Sequence, residues 1–179
     1  MEFDSLKTYL VERFLEWAYE QRSLHLPHAR PLSGEERSRL NGYFEKKILD
    51  LTRIVSLDRI SNPGFYRELT KSGIPIPLDL TQAAGFALID YVLIRKGLFS
   101  VPLMAISTIF HEMVHVVQVD ILGPRKLIEL YVDSLLRDEY RNVPFERQAY
   151  DLTDRFVQGG PPFPVRAIVE EEFGGGVPG

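Results

Sequence analysis

His111-Glu112-Met113-Val114-His115 is the segment whose residue types and spacing can do chemistry. It is an instance of H-E-x-x-H. Helical residues four apart share a face about one turn from each other, so both imidazoles can reach one cation. Two imidazoles suit zinc, and the glutamate beside them is placed to act as general base on the metal's water. The chain has four histidines, and His25 and His28 are the other two. The plain alternative is a pair of satisfied core histidines beside a buried carboxylate. That arrangement is costly, because a buried charge needs a partner.

A catalytic zinc takes three protein ligands and leaves a fourth position for water. No histidine follows His115, and the chain has no cysteine, so a carboxylate must complete the set. Asp120, Glu129, Asp133, Asp138, Glu139, Glu146, Asp151 and Asp154 are available. Asp120 continues the same helix and points about 140° away from the histidine face. Glu146 is favoured. It is far enough along the chain to return on a separate helix, and Pro144 makes it an early-turn residue there. Ala149 lies on the same side and is small, which suits close helix approach. Two histidines and a carboxylate also suit manganese, cobalt or iron.

With zinc in place, its water would become acidic near neutrality, and Glu112 would take the proton and pass it to a leaving amine. A donor for the developing oxyanion is also needed. Tyr131, Tyr140 and Tyr150 are candidates, with Tyr150 ranked first because it shares the face of Glu146; His25 and His28 are further options.

The run Ser107-Thr108-Ile109-Phe110-His111-Glu112-Met113-Val114-His115-Val116-Val117-Gln118, with Pro144-Phe145-Glu146-Arg147-Gln148-Ala149-Tyr150 after it, resembles the HExxH-plus-glutamate zinc metallopeptidases, or gluzincins. It is most similar to a bacterial branch with an HExxHVxQ helix and a PxExxA helix, some members of which accompany contractile injection systems. The resemblance spans residues 85–156. It implies a zincin-like core, zinc on His111, His115 and Glu146, and Glu112 as base. Better-studied gluzincins often carry an aspartate four residues after the ligand glutamate. Here Tyr150 holds that position and Asp151 follows it.

The elements that must position these residues are legible as patterns. Residues 4–24 read as an amphipathic helix through Leu6, Leu10, Phe14, Trp17 and Leu24. Residues 26–32 read as a loop. Ser33 and Glu36 form a capping-box signature for a helix running to about Leu49 through Leu40, Phe44 and Ile48. Residues 52–60 suit a strand, 72–80 a loop, and 85–95 a single strand. Pro102 opens a helix that ends before Gly123; Pro124 opens another to about Arg141; Pro144 opens a third to about Val157. Gly159-Gly160-Pro161-Pro162 breaks it, and residues 174–179 suit a disordered tail. The expectation is an α+β fold, mostly helical, with a small sheet next to the HExxH helix. One domain would span 1–173, with a helical N-terminal part (1–50) and the metallopeptidase core at 51–158.

Composition narrows the partners. A net charge of −4 argues against nucleic acid. Without cysteine, disulfides and thiolate metal sites are excluded. Residues 101–121 are apolar enough to raise a membrane span, but His111, Glu112 and His115 at their middle would be costly in lipid, so no membrane partner is expected. The first residues lack the pattern of a secretion signal, which predicts a cytoplasmic location. The expected partner is a peptide or protein substrate. The competing expectation is a zinc-binding, non-hydrolytic interaction module or inactive peptidase relative. Four protein ligands, or a cleft plugged by residues 159–172, would favour that alternative.

Overall fold

The structure, a computed structural model, describes residues 3–74, 79–136 and 143–174. Helix α1 (Phe3–His25) leads through a short 3-10 turn into strand β1 (Arg30–Pro31). Helices α2 (Gly34–Leu40) and α3 (Lys46–Leu51) precede strand β2 (Arg53–Leu57) and helix α4 (Tyr66–Lys71). Strands β3 (Gly85–Leu88) and β4 (Tyr91–Arg95) follow, then helices α5 (Pro102–Leu122), α6 (Pro124–Leu136), α7 (Pro144–Gln158) and α8 (Val165–Val169). A π-helical turn, Glu170–Gly174, closes the described chain. The fold is mostly helical with one small mixed sheet, which bears out the α+β expectation.

The sheet order is β1-β2-β4-β3. Only the β2–β4 pair is parallel; β1 and β3 each pair antiparallel to a neighbour, which leaves β3 on an edge. Successive strand residues point to opposite faces. In β4, Val92 and Ile94 enter a cluster with Ile109, Phe110 and Met113 of α5. Tyr91 and Leu93 enter a second cluster with Leu10, Phe14 and Trp17 of α1. Both faces of β4 are therefore covered, and its continuous apolar run follows from that.

Four expectations need correction or extension. The apolar run 85–95 is two strands, because the chain reverses at Ile89 and Asp90. Ile89 has a positive φ of 59°, and the carboxylate of Asp90 is held by the Arg22 guanidinium at 2.8 and 2.6 Å. A β-branched residue at that φ is strained and carries no turn signature in its side chain. The single helix from Ser33 to Leu49 is two helices, broken at Asn41 and at Gly42, where φ is 86°. Leu40, Phe44 and Ile48 are still all buried in one cluster. β1 lies in the segment read as loop, and α4 in a stretch that carried no assignment. Arg141, the expected end of α6, lies outside the described residues, as do residues 75–78 of the expected loop and 175–179 of the expected tail.

Helix α5 starts with Pro102 and stops at Gly123, whose φ is 79°. It is long and apolar enough to cross a bilayer by length and composition. Here Ile109, Phe110, Met113 and Val114 are fully buried within the protein. The capping box of α2 forms as expected: Ser33 Oγ accepts from the Glu36 amide, and Glu36 accepts from the Ser33 amide at 2.7 Å. Arg30 grips the same carboxylate at 2.7 Å through two nitrogens. Ser33→Ala removes one half of this box and is expected to cost about 1 kcal/mol of unfolding free energy in a urea titration. An unchanged midpoint would mean that the cap contributes nothing to the global fold.

Candidate metal centre

The site is made where α7 lies against α5. His111 and His115 project from one face of α5, and Pro144 starts α7 so that Glu146 sits in its first turn. Ala149, one turn further on, is fully buried in the same cluster as the core of α5. The absence of a larger side chain there lets the helices meet. His115 Nε2 is 3.3 Å from His111 Nε2, and each of these nitrogens is 3.5 Å from Glu146 Oε2. A zinc ion with bonds of about 2.0–2.1 Å in tetrahedral geometry requires its ligand atoms to be about 3.3–3.4 Å apart. The three atoms already stand at that spacing, so this donor set fits zinc. Among the described residues they are the one group of His, Asp or Glu side chains arranged to hold a metal, with no fourth protein ligand in it.

The electrostatics follow from this crowding. Burial would raise the Glu146 carboxyl, but the two imidazoles beside it outweigh that and hold it well below the usual carboxylate range. Burial would lower His115, but Glu146 next to it prevails and the imidazole is pushed up to about 9. Glu112 is raised above the usual carboxylate range, chiefly by burial, with the two histidines opposing.

Glu112 is held against the edge of the sheet. The Ala87 backbone gives its carboxylate a hydrogen bond. Gly85 permits the approach: a Cβ there would lie 2.8 Å from Thr108 Cγ2 and 2.9 Å from both Cγ and Oε1 of Glu112. Glu112, the three candidate ligands and β3 all line one cavity of about 490 Å³. Its other walls are mostly apolar, with Phe14 and Trp17 of α1, Leu80, and Ile128 of α6 among them. β3 is the strand that runs along the cavity; β4 lies inside the sheet. No described residue from 159–172 lines the cavity.

Tyr150 reaches the site. Its ring lies 4.5 Å from that of His111, the residue is 61% exposed, and partial desolvation of the phenol with the Glu146 and Glu112 carboxylates nearby raises its pKa. Tyr131 lines the same cavity and stacks on Phe145. Tyr140, Asp138 and Glu139 lie outside the described residues. His25 and His28, at and just beyond the end of α1, do not line the cavity. Asp120 pairs with Lys47 and Arg166, and Asp133 with Lys7. Glu129, Asp151 and Asp154 are not in the ligand group.

Three residues at the site were not singled out from sequence. Gln118 lies 2.8 Å from His115 Nδ1, Thr153 Oγ1 lies 3.5 Å from His111 Nδ1, and Gln148 bonds to Gln118. The signal was present for two of them. Gln118 is three residues after His115, and Thr153 is seven after Glu146, so each shares a helical face with a candidate ligand.

Gly85→Ala forces its new methyl into Glu112 and Thr108. It is expected to cost about 1–3 kcal/mol in urea unfolding, as overpacking does, while metal stoichiometry is retained because no ligand is touched. Full wild-type stability would show that Glu112 is not pinned against β3.

No protein-family model matches the chain, and neither a curated protein nor a solved structure is found to match it.

Proposed function

We propose that this protein is a zinc-dependent metallopeptidase, with a zincin-like core and zinc held by His111, His115 and Glu146. The observation that carries the reading is the tetrahedral spacing of three donor atoms beside a buried glutamate in one cavity. The absence of a fourth protein ligand from the described group favours a catalytic site over a structural one. A bound zinc would supply an acidified water and polarise the carbonyl under attack.

The chain's own residues do the rest. Glu112 accepts the proton of the attacking water and delivers it to the amine that leaves as the peptide bond breaks. Its carboxylate lines the same cavity as the three donor atoms, beside the place a metal-bound water would take. The Tyr150 hydroxyl is our candidate donor to the developing oxyanion, since its ring is already against His111. β3 is an edge strand along the cavity, so the outward backbone groups that Glu112 does not take can pair with an extended peptide. The walls contributed by Phe14, Trp17 and Leu80 favour a large apolar side chain near the scissile bond.

The test is digestion of a mixed peptide library by the zinc-loaded protein, read by mass spectrometry with and without a chelator. Cleavage beside Phe, Leu or similar residues, abolished by the chelator, is expected. Glu112→Gln is expected to retain zinc and to lose about 10²–10⁴-fold in turnover. Glu146→Ala is expected to lose zinc affinity beyond the roughly 10–100-fold that removal of an outer-shell partner costs. Chelator-insensitive cleavage, or wild-type turnover by Glu112→Gln, would overturn the assignment.

A further inference from the structure

We propose that Gln118, Gln148 and Glu172 form a positioning relay that holds His115 in its metal-binding orientation from the C-terminal segment. The inference rests on His115 being a metal ligand.

His115 directs Nε2 at His111 and Glu146, so the lone pair for a cation must be on that nitrogen. The other nitrogen, Nδ1, must then carry a proton and donate it. Its neighbour at 2.8 Å is Gln118 Oε1. That contact fixes the Gln118 amide, whose NH2 group donates to the Phe145 carbonyl at 3.1 Å and to Gln148 Oε1 at 3.0 Å. Gln148 is fixed in turn, and its NH2 group donates to Glu172 Oε2 at 2.6 Å. An ionised carboxylate only accepts, so it can end such a chain in one sense alone. Every donor points away from His115 and every acceptor toward it.

The relay matters because an amide can turn over. Gln118 is fully buried and cannot use water as a substitute partner, while Gln148 is nearly buried beneath the exposed Glu172. Without Glu172, Gln148 loses the acceptor that decides its orientation, and Gln118 keeps only the Phe145 carbonyl to fix its NH2 group. A reversed Gln118 would offer NH2 to Nδ1. That favours the tautomer with its proton on Nε2, which cannot bind a cation.

His111 is held differently. Thr153 Oγ1 spends its proton on the Ala149 carbonyl at 2.7 Å and offers Nδ1 a lone pair from 3.5 Å. The two ligands thus have unequal support, and the stronger support comes from outside the cavity. Glu172 lies in the π-helical turn, anchored by buried Phe163, Val165 and Val169 in the cluster that contains the core of α5. Glu170 and Glu171 take no part in the relay. The acidic run Glu170-Glu171-Glu172 therefore has one member with a partner at the metal site, two amides away.

The test uses the full chain with Gln118→Met, Glu172→Ala, Glu172→Gln and the double variant Gln118→Met/Glu172→Ala. Zinc affinity is read by competition with a chromophoric chelator. The exchange of the His115 Nδ1 proton with water is read by NMR in metal-free and zinc-loaded protein. Gln118→Met and Glu172→Ala are expected to weaken zinc binding by about 10–100-fold and to speed proton exchange. Glu172→Gln keeps an acceptor oxygen but can also turn over and donate, so it is expected to fall between wild type and Glu172→Ala. The double variant is expected to lose no more than Gln118→Met alone, because the groups act in series. Additive losses, or wild-type affinity and proton protection in Glu172→Ala, would overturn the relay. If Gln118→Met does not fold, the surface variants at Glu172 decide. If wild-type protein binds no zinc, the ligand assignment fails, and proton exchange in metal-free protein still judges the relay.

Discussion

The structure depends on one contact, the meeting of α5 and α7 that sets two imidazoles and a carboxylate within 3.3 to 3.5 Å of each other. Three polar groups so close and so little exposed are expensive unless they neutralise one another or share a cation. The opposite shifts of Glu146 and His115 are the metal-free answer to that expense. A cation at the centre is the other answer, and the spacing of the three atoms matches it. Ala149 lets the helices touch, Pro144 times the start of α7, and Gly85 lets Glu112 sit against the sheet.

The rest of the fold keeps that contact rigid. α5 is gripped by the sheet through one apolar cluster, while α1 covers the opposite face of the same strands through another. α1 also supplies Phe14 and Trp17 to the cavity, so the N-terminal helix shapes the cleft as well as covering the sheet. C-terminal to α7, α8 and the π-helical turn pack outside the candidate metal centre, and none of the described residues 159–172 lines the cavity. One side of α5 therefore faces the cleft, and the segment that carries Glu172 reaches His115 only through Gln148 and Gln118.

Much of the site was legible because helical periodicity is a short-range rule. The spacing of His111 and His115, the stop at Gly123 and the starts at Pro102 and Pro144 can all be read from neighbours in sequence. Glu146 was reachable by eliminating other ligands and by judging its place in α7. The turn at Ile89 and Asp90 was not legible, since it is held by Arg22 from α1 and uses a residue type that avoids positive φ. The break at Asn41 and Gly42 was hidden because Leu40, Phe44 and Ile48 still share a core after the helix ends. Gln118 was in view as part of the HExxHVxQ resemblance, but its partners Gln148 and Glu172 come from distant segments. No local pattern specifies a hydrogen bond of that kind.

The central claim is tested most directly by X-ray absorption at the zinc K-edge on zinc-loaded protein, with the metal content counted in the same sample. The account predicts one zinc per chain with two imidazole nitrogens and carboxylate and water oxygens at about 2.0–2.2 Å, in four-coordinate geometry. Substoichiometric zinc, or a six-coordinate shell of oxygens without imidazole scattering, would contradict it.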